Sequence, residues 1–200
     1  MTNVLASIIG YLLGSIPFAL VIGKVFYNTD IRKHGSGNLG GTNAGRTLGK
    51  KAGIAVIVLD VLKAALAMII ASMIDPASMI YAGFFATIGH CFPLFAGFKG
   101  GKAVSTAFGF LFAVSLLVTK NVLLHFLLPL LILVVVLYLT KMVSLASIVA
   151  ISAAAIIMWL SGAELIVCLA VSAIALIVIV RHKENIGRIL SKTERKITWM

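Results

Sequence analysis

The sequence contains few charged residues and very few acidic ones. Charged side chains make up 12% of the 200 residues, and only six residues are Asp or Glu. Because a soluble domain usually carries about a quarter charged residues, this composition excludes a water-soluble globule. Apolar residues, 61% of the chain, form long uncharged runs without the alternation of a membrane β-strand. The sequence therefore predicts an all-α integral membrane protein.

Cysteine and clustered carboxylates are also scarce. Cys91 and Cys168, the two cysteines, both lie in apolar runs, which argues against a disulfide framework. The acidic residues are scattered along the chain, so no metal site is predicted.

Seven apolar segments are long enough to cross a bilayer, at about 20 residues each. We predict a single polytopic membrane domain over 1–200, with one long connection at 27–51, short ones at 99–102 and 141, and a tail at 181–200. The predicted spans are 4–26, 52–74, 79–98, 103–119, 122–140, 142–160 and 163–180.

Basic residues are distributed unequally between the two sides of this arrangement. Fifteen of the 17 Lys and Arg residues fall in 24–51, 99–102, 141 and 181–200, which share one side if the chain spans the membrane seven times. The positive-inside rule makes that side cytoplasmic, with the N-terminus outside and the C-terminus cytoplasmic. The net charge of +11 thus reflects topology and attraction to anionic lipids or substrates, and no nucleic-acid partner is predicted.

The 27–51 connection contains a glycine-rich run, GSGNLGGTNAGR at 35–46. Successive backbone N–H groups in such a run can form an anion-binding nest, and Arg46 could clamp a phosphate. A flexible tether is the alternative, but a tether does not need Asn, Thr and Arg among its glycines. The run also matches the dinucleotide fingerprint, which we reject because a membrane helix and not a strand precedes it.

A second basic loop, FKGGKAVST at 98–106, follows the third predicted span. It has neither the spacing nor the preceding strand of a P-loop. Its two glycines open a helix whose first turn carries Lys102, Ser105 and Thr106, and a helix N-terminus binds anions well. The alternative is an interfacial turn with lysines that extend toward the head groups.

The tail begins RHKENIGR at 181–188. His182 and Asn185 share a face if the seventh helix continues, and His182 could accept or donate a proton. Ordinary basic flanking sequence would explain the Arg and Lys residues but not these two.

Asp60 and Lys63 lie in the middle of the second span, where charges are costly, so we expect them to face the interior and pair. A direct role in the site is the alternative. His90 is interpreted as a packing residue, with a site role as its alternative.

Three polar clusters on one membrane face, two of them suited to phosphate, suggest a reaction that joins an acyl chain to a phosphorylated acceptor. The His-x₄-Asp pattern of CoA-dependent glycerolipid acyltransferases is absent, and so is Gly-x-Ser-x-Gly. The rival hypothesis is a membrane transporter for a phosphorylated or anionic solute, although transporters usually bind near the midplane. A lipid-binding scaffold is a third possibility, but it would not need His182 or Asn185.

The runs at 35–43, 89–102 and 181–188, with Leu59–Lys63 and Thr193–Ile197, resemble the bacterial acyl-phosphate:glycerol-3-phosphate acyltransferases. The resemblance covers the whole chain. Gly41 stands where that family commonly has alanine, and Ala103 and Ser105 stand where Gly-Val-Ala-Thr commonly follows Gly-Gly-Lys.

The resemblance implies transfer of a fatty acyl group from acyl phosphate to the 1-hydroxyl of glycerol 3-phosphate. The products are lysophosphatidic acid and inorganic phosphate, in the first acylation of phospholipid synthesis. It also implies a bacterial cytoplasmic (inner) membrane location among membrane lipids, a site facing the cytoplasm, and no CoA, cofactor or metal.

The site residues expected from this resemblance form two groups. Whether His182 or a substrate phosphate is the base stays open, as does which loop holds the donor. The expected catalytic residues are Ser36, Arg46, Lys102, His182 and Asn185, and the expected phosphate-binding residues are Gly35, Gly37, Asn38, Gly40, Thr42, Asn43, Gly100, Gly101, Ser105, Thr106 and Arg188.

Overall fold

The computed structural model describes residues 1–197, and within these residues all regular secondary structure is helical. The predicted tail, 181–200, therefore ends in three residues, 198–200, that lie outside the described residues. Short 3₁₀ turns occupy Ile31–Lys33, Pro76–Ser78 and Leu94–Ala96, and a π-helix occupies Leu123–Leu127. The α-helices are α1 (Thr2–Gly14), α2 (Phe18–Tyr27), α3 (Gly41–Leu48), α4 (Lys50–Ile74), α5 (Met79–Cys91), α6 (Val104–Leu117), α7 (Leu128–Thr140), α8 (Val143–Leu160), α9 (Leu165–Arg181) and α10 (Lys183–Leu190).

The chain forms two compact units, Met1–Phe110 and Leu111–Met200, with the division inside α6. In the first unit, small residues allow α1 and α5 to touch backbone to backbone. Gly10 and Gly14 of α1 lie directly against the backbone of Ala82 and Ala86 of α5, and a Cβ at either glycine would collide with it. Such small-xxx-small contacts are typical of helices that pack within a membrane.

Helix α4 shows how this unit divides its apolar surface. One face is buried and built of small residues such as Ala64, Ala67 and Ala71, whereas large apolar residues such as Leu62 and Leu66 are exposed. Exposed large side chains beside a buried small-residue face are expected for a helix in contact with lipid.

Five helical segments of the described residues are long and apolar enough to cross a membrane, and a sixth is reached if α9 and α10, bent by 59°, count as one span. Helix α6, with 14 residues, is apolar but shorter. The prediction of several apolar spans is thus confirmed, and the count of seven stays a prediction. The five segments are Thr2–Tyr27, Lys50–Ile74, Pro76–Ala96, Leu123–Thr140 and Val143–Leu160.

The first predicted span is interrupted between α1 and α2, where Pro17 has no N–H to continue the helix. The 27–51 connection also contains a helix that was not predicted, α3. Gly41 and Gly45 of α3 meet Gly53 of α4 so closely that a Cβ at Gly53 would lie 2.6 Å from the Gly45 Cα. Close packing, and not helix propensity, therefore stabilises α3.

In the second unit, α8 packs against both α7 and α9. The π-helix ends just before Pro129, which cannot donate a hydrogen bond to the preceding turn, so the backbone widens there. After α10 the chain contacts the connection between α7 and α8, where the Ile197 N–H donates to the Lys141 carbonyl at 2.8 Å. Ile197 also packs with Leu137 and Ala146 in a small core.

Candidate active site

The first glycine-rich loop is anchored in the core of the first unit. Ile31, with no exposed surface, and Leu39, 3% exposed, belong to a cluster with residues of α2, α3 and α4. Gly35 and Gly37, between these anchors, have φ of 62° and 68°, a conformation that L side chains rarely adopt. These anchors argue against the tether alternative.

Asn43 holds the shape of this loop. It is 2% exposed, and its Oδ1 accepts the Ser36 N–H at 2.9 Å. Its Nδ2 donates to the carbonyls of His34 (3.2 Å) and Ile31 (3.4 Å). Since both ends of the amide are used within the loop, a contact between Asn43 and phosphate would require one of these bonds to be exchanged.

The two predicted anion-binding loops meet. Asn38 of the first loop donates from Nδ2 to the carbonyl of Gly100 in the second, at 3.4 Å across 62 residues of sequence. Two glycine-rich turns that are distant in sequence are therefore in contact in the folded chain.

The second loop is fixed by its own backbone. The Gly100 N–H donates to the Cys91 carbonyl at 3.2 Å, and the Gly101 N–H donates to the His90 carbonyl at 3.0 Å. The predicted phosphate-binding glycines therefore already use their amide hydrogens. Ala103, at the start of α6, has φ of 67°, which explains why a glycine is favourable there.

The remaining predicted side chains of the first unit differ in exposure. Gly40 is the N-cap of α3, Thr42 lies in its first turn and Arg46 in its last. Ser36, Thr42 and Arg46 are exposed, Lys102 and Ser105 are half-buried, and Thr106 is buried with its hydroxyl donating to the Ala103 carbonyl at 3.0 Å.

The first loop is electropositive because its one carboxylate is neutralised. Asp30 is the only acidic residue in 27–51, against five Lys and Arg. Arg32 donates to both Asp30 carboxylate oxygens, at 2.9 and 2.6 Å, and this bidentate hydrogen bonding holds the pKa of Asp30 well below its ordinary value. The 27–51 connection therefore keeps a clear excess of positive charge, which favours binding of an anion.

The predicted pairing of Asp60 and Lys63 is confirmed. The Lys63 Nζ lies 2.7 Å from Asp60 Oδ1, with both side chains at most 3% exposed. His90 joins this pair, because its Nδ1 lies 3.1 Å from Lys63 Nζ and 3.5 Å from Asp60 Oδ1.

In the second unit, the predicted tail residues surround a carboxylate that sequence analysis did not select, Glu194. Asn185 donates from Nδ2 to Glu194 Oε1 at 2.6 Å, and Arg188 donates from Nε to Oε2 at 2.7 Å. The Ser144 hydroxyl, on α8, also donates to Oε1 at 2.6 Å. Burial would raise the pKa of Glu194, but these hydrogen bonds outweigh it and hold the pKa below 4.5.

His182 lies at the bend between α9 and α10. The prediction that His182 and Asn185 share one helix face required a continuous helix, and α9 and α10 do not form one. His182 is 3% exposed, and its Nδ1 lies 2.7 Å from the Val178 carbonyl oxygen. Since a carbonyl only accepts, Nδ1 carries the hydrogen and Nε2 has the lone pair of the neutral ring.

Sequence analysis did not select two residues of this hydrogen-bonded cluster, Glu194 and Ser144. The only signal for Glu194 was the Thr193–Ile197 stretch in the family resemblance. Ser144, a serine in an apolar helix, has no distinctive pattern of its own.

Comparison with known proteins shows the family of this chain. The sequence pattern of the family "Glycerol-3-phosphate acyltransferase" matches residues 4–192, so the chain belongs to that family and is an acyltransferase. It is similar to the "Glycerol-3-phosphate acyltransferase" of Bacillus cereus (strain G9842), with 46% identity over 98% of this chain and 96% of the relative.

Two solved structures are also similar. Both are crystal structures of "PlsY (YgiH), an integral membrane glycerol 3-phosphate acyltransferase". The glycerol 3-phosphate form has 37% identity and a TM-score of 0.90, and the lysophosphatidic acid form has 36% identity and a TM-score of 0.88. Each comparison covers 99% of this chain and 96% of the other. The fold is therefore that of an all-helical integral membrane acyltransferase.

Proposed function

We propose that this chain transfers a fatty acyl group from an acyl phosphate to the 1-hydroxyl of glycerol 3-phosphate, which releases lysophosphatidic acid and inorganic phosphate. Membership of the family supports glycerol 3-phosphate as the acceptor and lysophosphatidic acid as the product. The observation that carries the proposal is the Asn38–Gly100 hydrogen bond, because it joins two cationic, glycine-rich loops into one region suited to phosphate.

The chemistry asks little of the protein beyond positioning. An acyl phosphate is an activated mixed anhydride, so the glycerol hydroxyl oxygen attacks its acyl carbon and the bond to phosphate oxygen breaks. The enzyme must align the two anions and stabilise the oxyanion that develops on the acyl group. The reaction balances without CoA, a cofactor or a metal.

We assign Ser36, Arg46 and Lys102 to this task. Arg46, with the loop around Ser36, would hold one phosphate. Lys102, at the start of α6 with Ser105, would hold the other and offset charge on the leaving phosphate. Either loop can serve the donor.

The proton of the glycerol hydroxyl can leave in two ways. His182 can accept it at Nε2, the nitrogen with the lone pair, since Nδ1 already donates to the Val178 carbonyl. A substrate phosphate can accept it instead, in which case His182 and Asn185 orient the hydroxyl. The acyl tail would lie in a groove between helices that opens to the inner leaflet.

The proposed topology has seven spans, with the N-terminus outside and the C-terminus in the cytoplasm. Helix α6 would then be the fourth and shortest span. The uneven distribution of Lys and Arg supports a site at the cytoplasmic face of the bacterial inner membrane.

An assay with purified full-length protein in lipid vesicles tests the proposal. The protein is given radiolabelled glycerol 3-phosphate and palmitoyl phosphate without CoA. We expect labelled lysophosphatidic acid and an equal amount of released phosphate. Uptake of label into the vesicles without a new lipid would support the transporter instead, and neither product nor uptake would contradict both.

His182→Ala separates the two proton acceptors. If a substrate phosphate is the base, the variant should be slower, but its pH profile should stay parallel to that of the unmodified protein, because the same phosphate accepts the proton in both. A change in the shape of the pH profile would argue for His182 as the base.

A further inference from the structure

Three buried polar side chains form a network that reaches the second loop through His90 and have no part in the proposed reaction. Asp60 and Lys63 are on α4 and His90 is on α5, and each is at most 5% exposed. Ionisable groups inside membrane helices are costly, so their presence points to a role in function.

Lys63 contacts both other members of this network. Its Nζ lies 2.7 Å from Asp60 Oδ1, donates to the Ile16 carbonyl at 2.8 Å and lies 3.1 Å from His90 Nδ1. An ammonium group has three hydrogens and no lone pair, so His90 Nδ1 is an acceptor and the ring hydrogen is on Nε2. The orientation of the His90 ring is therefore set by Lys63.

His90 in turn contacts the second loop in two ways. Its carbonyl accepts the Gly101 N–H at 3.0 Å, and its Nε2 occupies the space where a Cβ at position 101 would stand. A change in the ring orientation would therefore displace Gly101, and with it the adjacent Lys102.

We propose that Asp60, Lys63 and His90 are positioning residues for acyl transfer, which hold the Gly100–Gly101 turn so that Lys102 is correctly placed for phosphate. The activity tests of this inference rest on the proposed function. The alternative is that the network only stabilises the helix bundle.

A pair of matched histidine variants distinguishes these roles. His90→Gln removes the ring from the network. His125→Gln is the control, because His125 is equally buried (4% exposed) and its ring also makes two hydrogen bonds, to Thr119 and Ser161. Each variant is measured for kcat, for KM of glycerol 3-phosphate and for thermal unfolding.

We expect His90→Gln to lower kcat by about 10- to 100-fold, as small misplacements of catalytic groups do, with a smaller change in KM. His125→Gln should retain kcat in its folded fraction. Equal losses of activity in the two variants, or losses that follow the unfolded fraction, would overturn the proposal.

A double-mutant cycle tests the contact between His90 and the loop directly. Gly101→Ala should cause a large loss of activity in the unmodified protein because the new Cβ meets the His90 ring. In a His90→Ala background the same change should cost several-fold to 100-fold less, since residues in contact are not additive. If the loss of activity in the double variant equals the product of the losses in the two single variants, the proposal is overturned.

A spectroscopic measurement tests the same contact without an activity assay. It remains usable if the His90 variants do not fold or if the enzyme shows no turnover. The imidazole nitrogens of His90 are observed by NMR in Gly101→Ala, which leaves the network residues unchanged. We expect their chemical shifts to change, and unchanged shifts would overturn the proposal. Absence of turnover in the unmodified protein would contradict the proposed function and leave this measurement valid.

Discussion

Asp60 in the first unit and Glu194 in the second are both buried carboxylates, yet they are neutralised differently. Asp60, 1% exposed at its side chain, meets a lysine three residues further along the same helix. Glu194, with a side chain 6% exposed, lies after α10. Its carboxylate accepts hydrogen bonds from Ser144, Asn185 and Arg188.

The difference shows two ways to place polar groups for an enzyme in a membrane. The Asp60–Lys63 pair forms within α4 itself and then supports a loop through His90. Glu194 has to be brought into place by the folded chain, and it ties the tail to α8 and α10. The first arrangement is a property of one helix, whereas the second depends on long-range structure.

The largest effect on activity should come from the two cations assigned to phosphate in the first unit. Lys102→Ala and Arg46→Ala should each lower kcat/KM by about 10²- to 10³-fold, because each removes a cation from developing negative charge. Lys99→Ala, an exposed cation of the same loop, is the control and should change the rate little. Near-normal rates in both variants would remove the anion-binding role from the first unit.

Breaking the pair in the first unit should cost the most stability. Lys63→Met leaves the Asp60 carboxylate buried without its cation, so the free energy of unfolding should fall by about 3–5 kcal/mol. The double change Lys63→Met with Asp60→Asn removes both charges and should recover part of this loss. Thermal unfolding in detergent measures both, and equal losses would contradict the ion-pair interpretation.

Glu194→Gln should have the next largest effect on stability, a loss of about 2–3 kcal/mol, because it weakens several charge-assisted hydrogen bonds at once. The matched control is Glu184→Gln in the exposed first turn of α10, which should cost less than about 1 kcal/mol. If the two variants unfold at the same temperature, Glu194 does not hold the tail.

The pH dependence of unfolding also tests whether the Glu194 carboxylate stabilises the folded tail. The pKa of Glu194 lies below 4.5 in the folded chain and returns to its ordinary value on unfolding. Its contribution is therefore complete above about pH 4.5 and is lost as the pH falls through the lowered pKa. The unmodified protein should lose thermal stability on acidification more steeply than Glu194→Gln, and parallel curves would contradict this.

The smallest effect should come from Ala103, whose φ of 67° strains an L residue. Ala103→Gly should raise the free energy of unfolding by up to about 1 kcal/mol, because relief of this strain outweighs the greater freedom of glycine in the unfolded chain. Ala107→Gly, inside α6, should instead lower it by about 1 kcal/mol or more. A loss in both variants would show that Ala103 is not strained.

The sequence was informative where local pattern decides structure. Apolar runs predicted the long helices, and the spacing of Asp60 and Lys63 predicted their pair, because both depend on helix geometry alone. Glycines mixed with cations also predicted the two loops that Asn38 brings together.

Features that depend on tertiary contacts were not predictable in this way. Helix α3 contains residues of low helix propensity and forms because Gly41 and Gly45 pack on Gly53. The position of Glu194 likewise depends on a contact with Ser144, 50 residues away in sequence, and no local pattern marks the bend at His182. Seven spans, the orientation and the roles of the site residues stay predictions.

The backbone hydrogen bonds of the Gly100–Gly101 turn have a thermodynamic consequence for ligand affinity. Backbone hydrogen bonds fix the turn to the end of α5 in the folded chain. The turn therefore loses its conformational entropy during folding and not when a ligand binds. A phosphate analogue therefore gains little from being designed to rigidify this turn. Its tightest contacts should come from charge placed opposite Lys102.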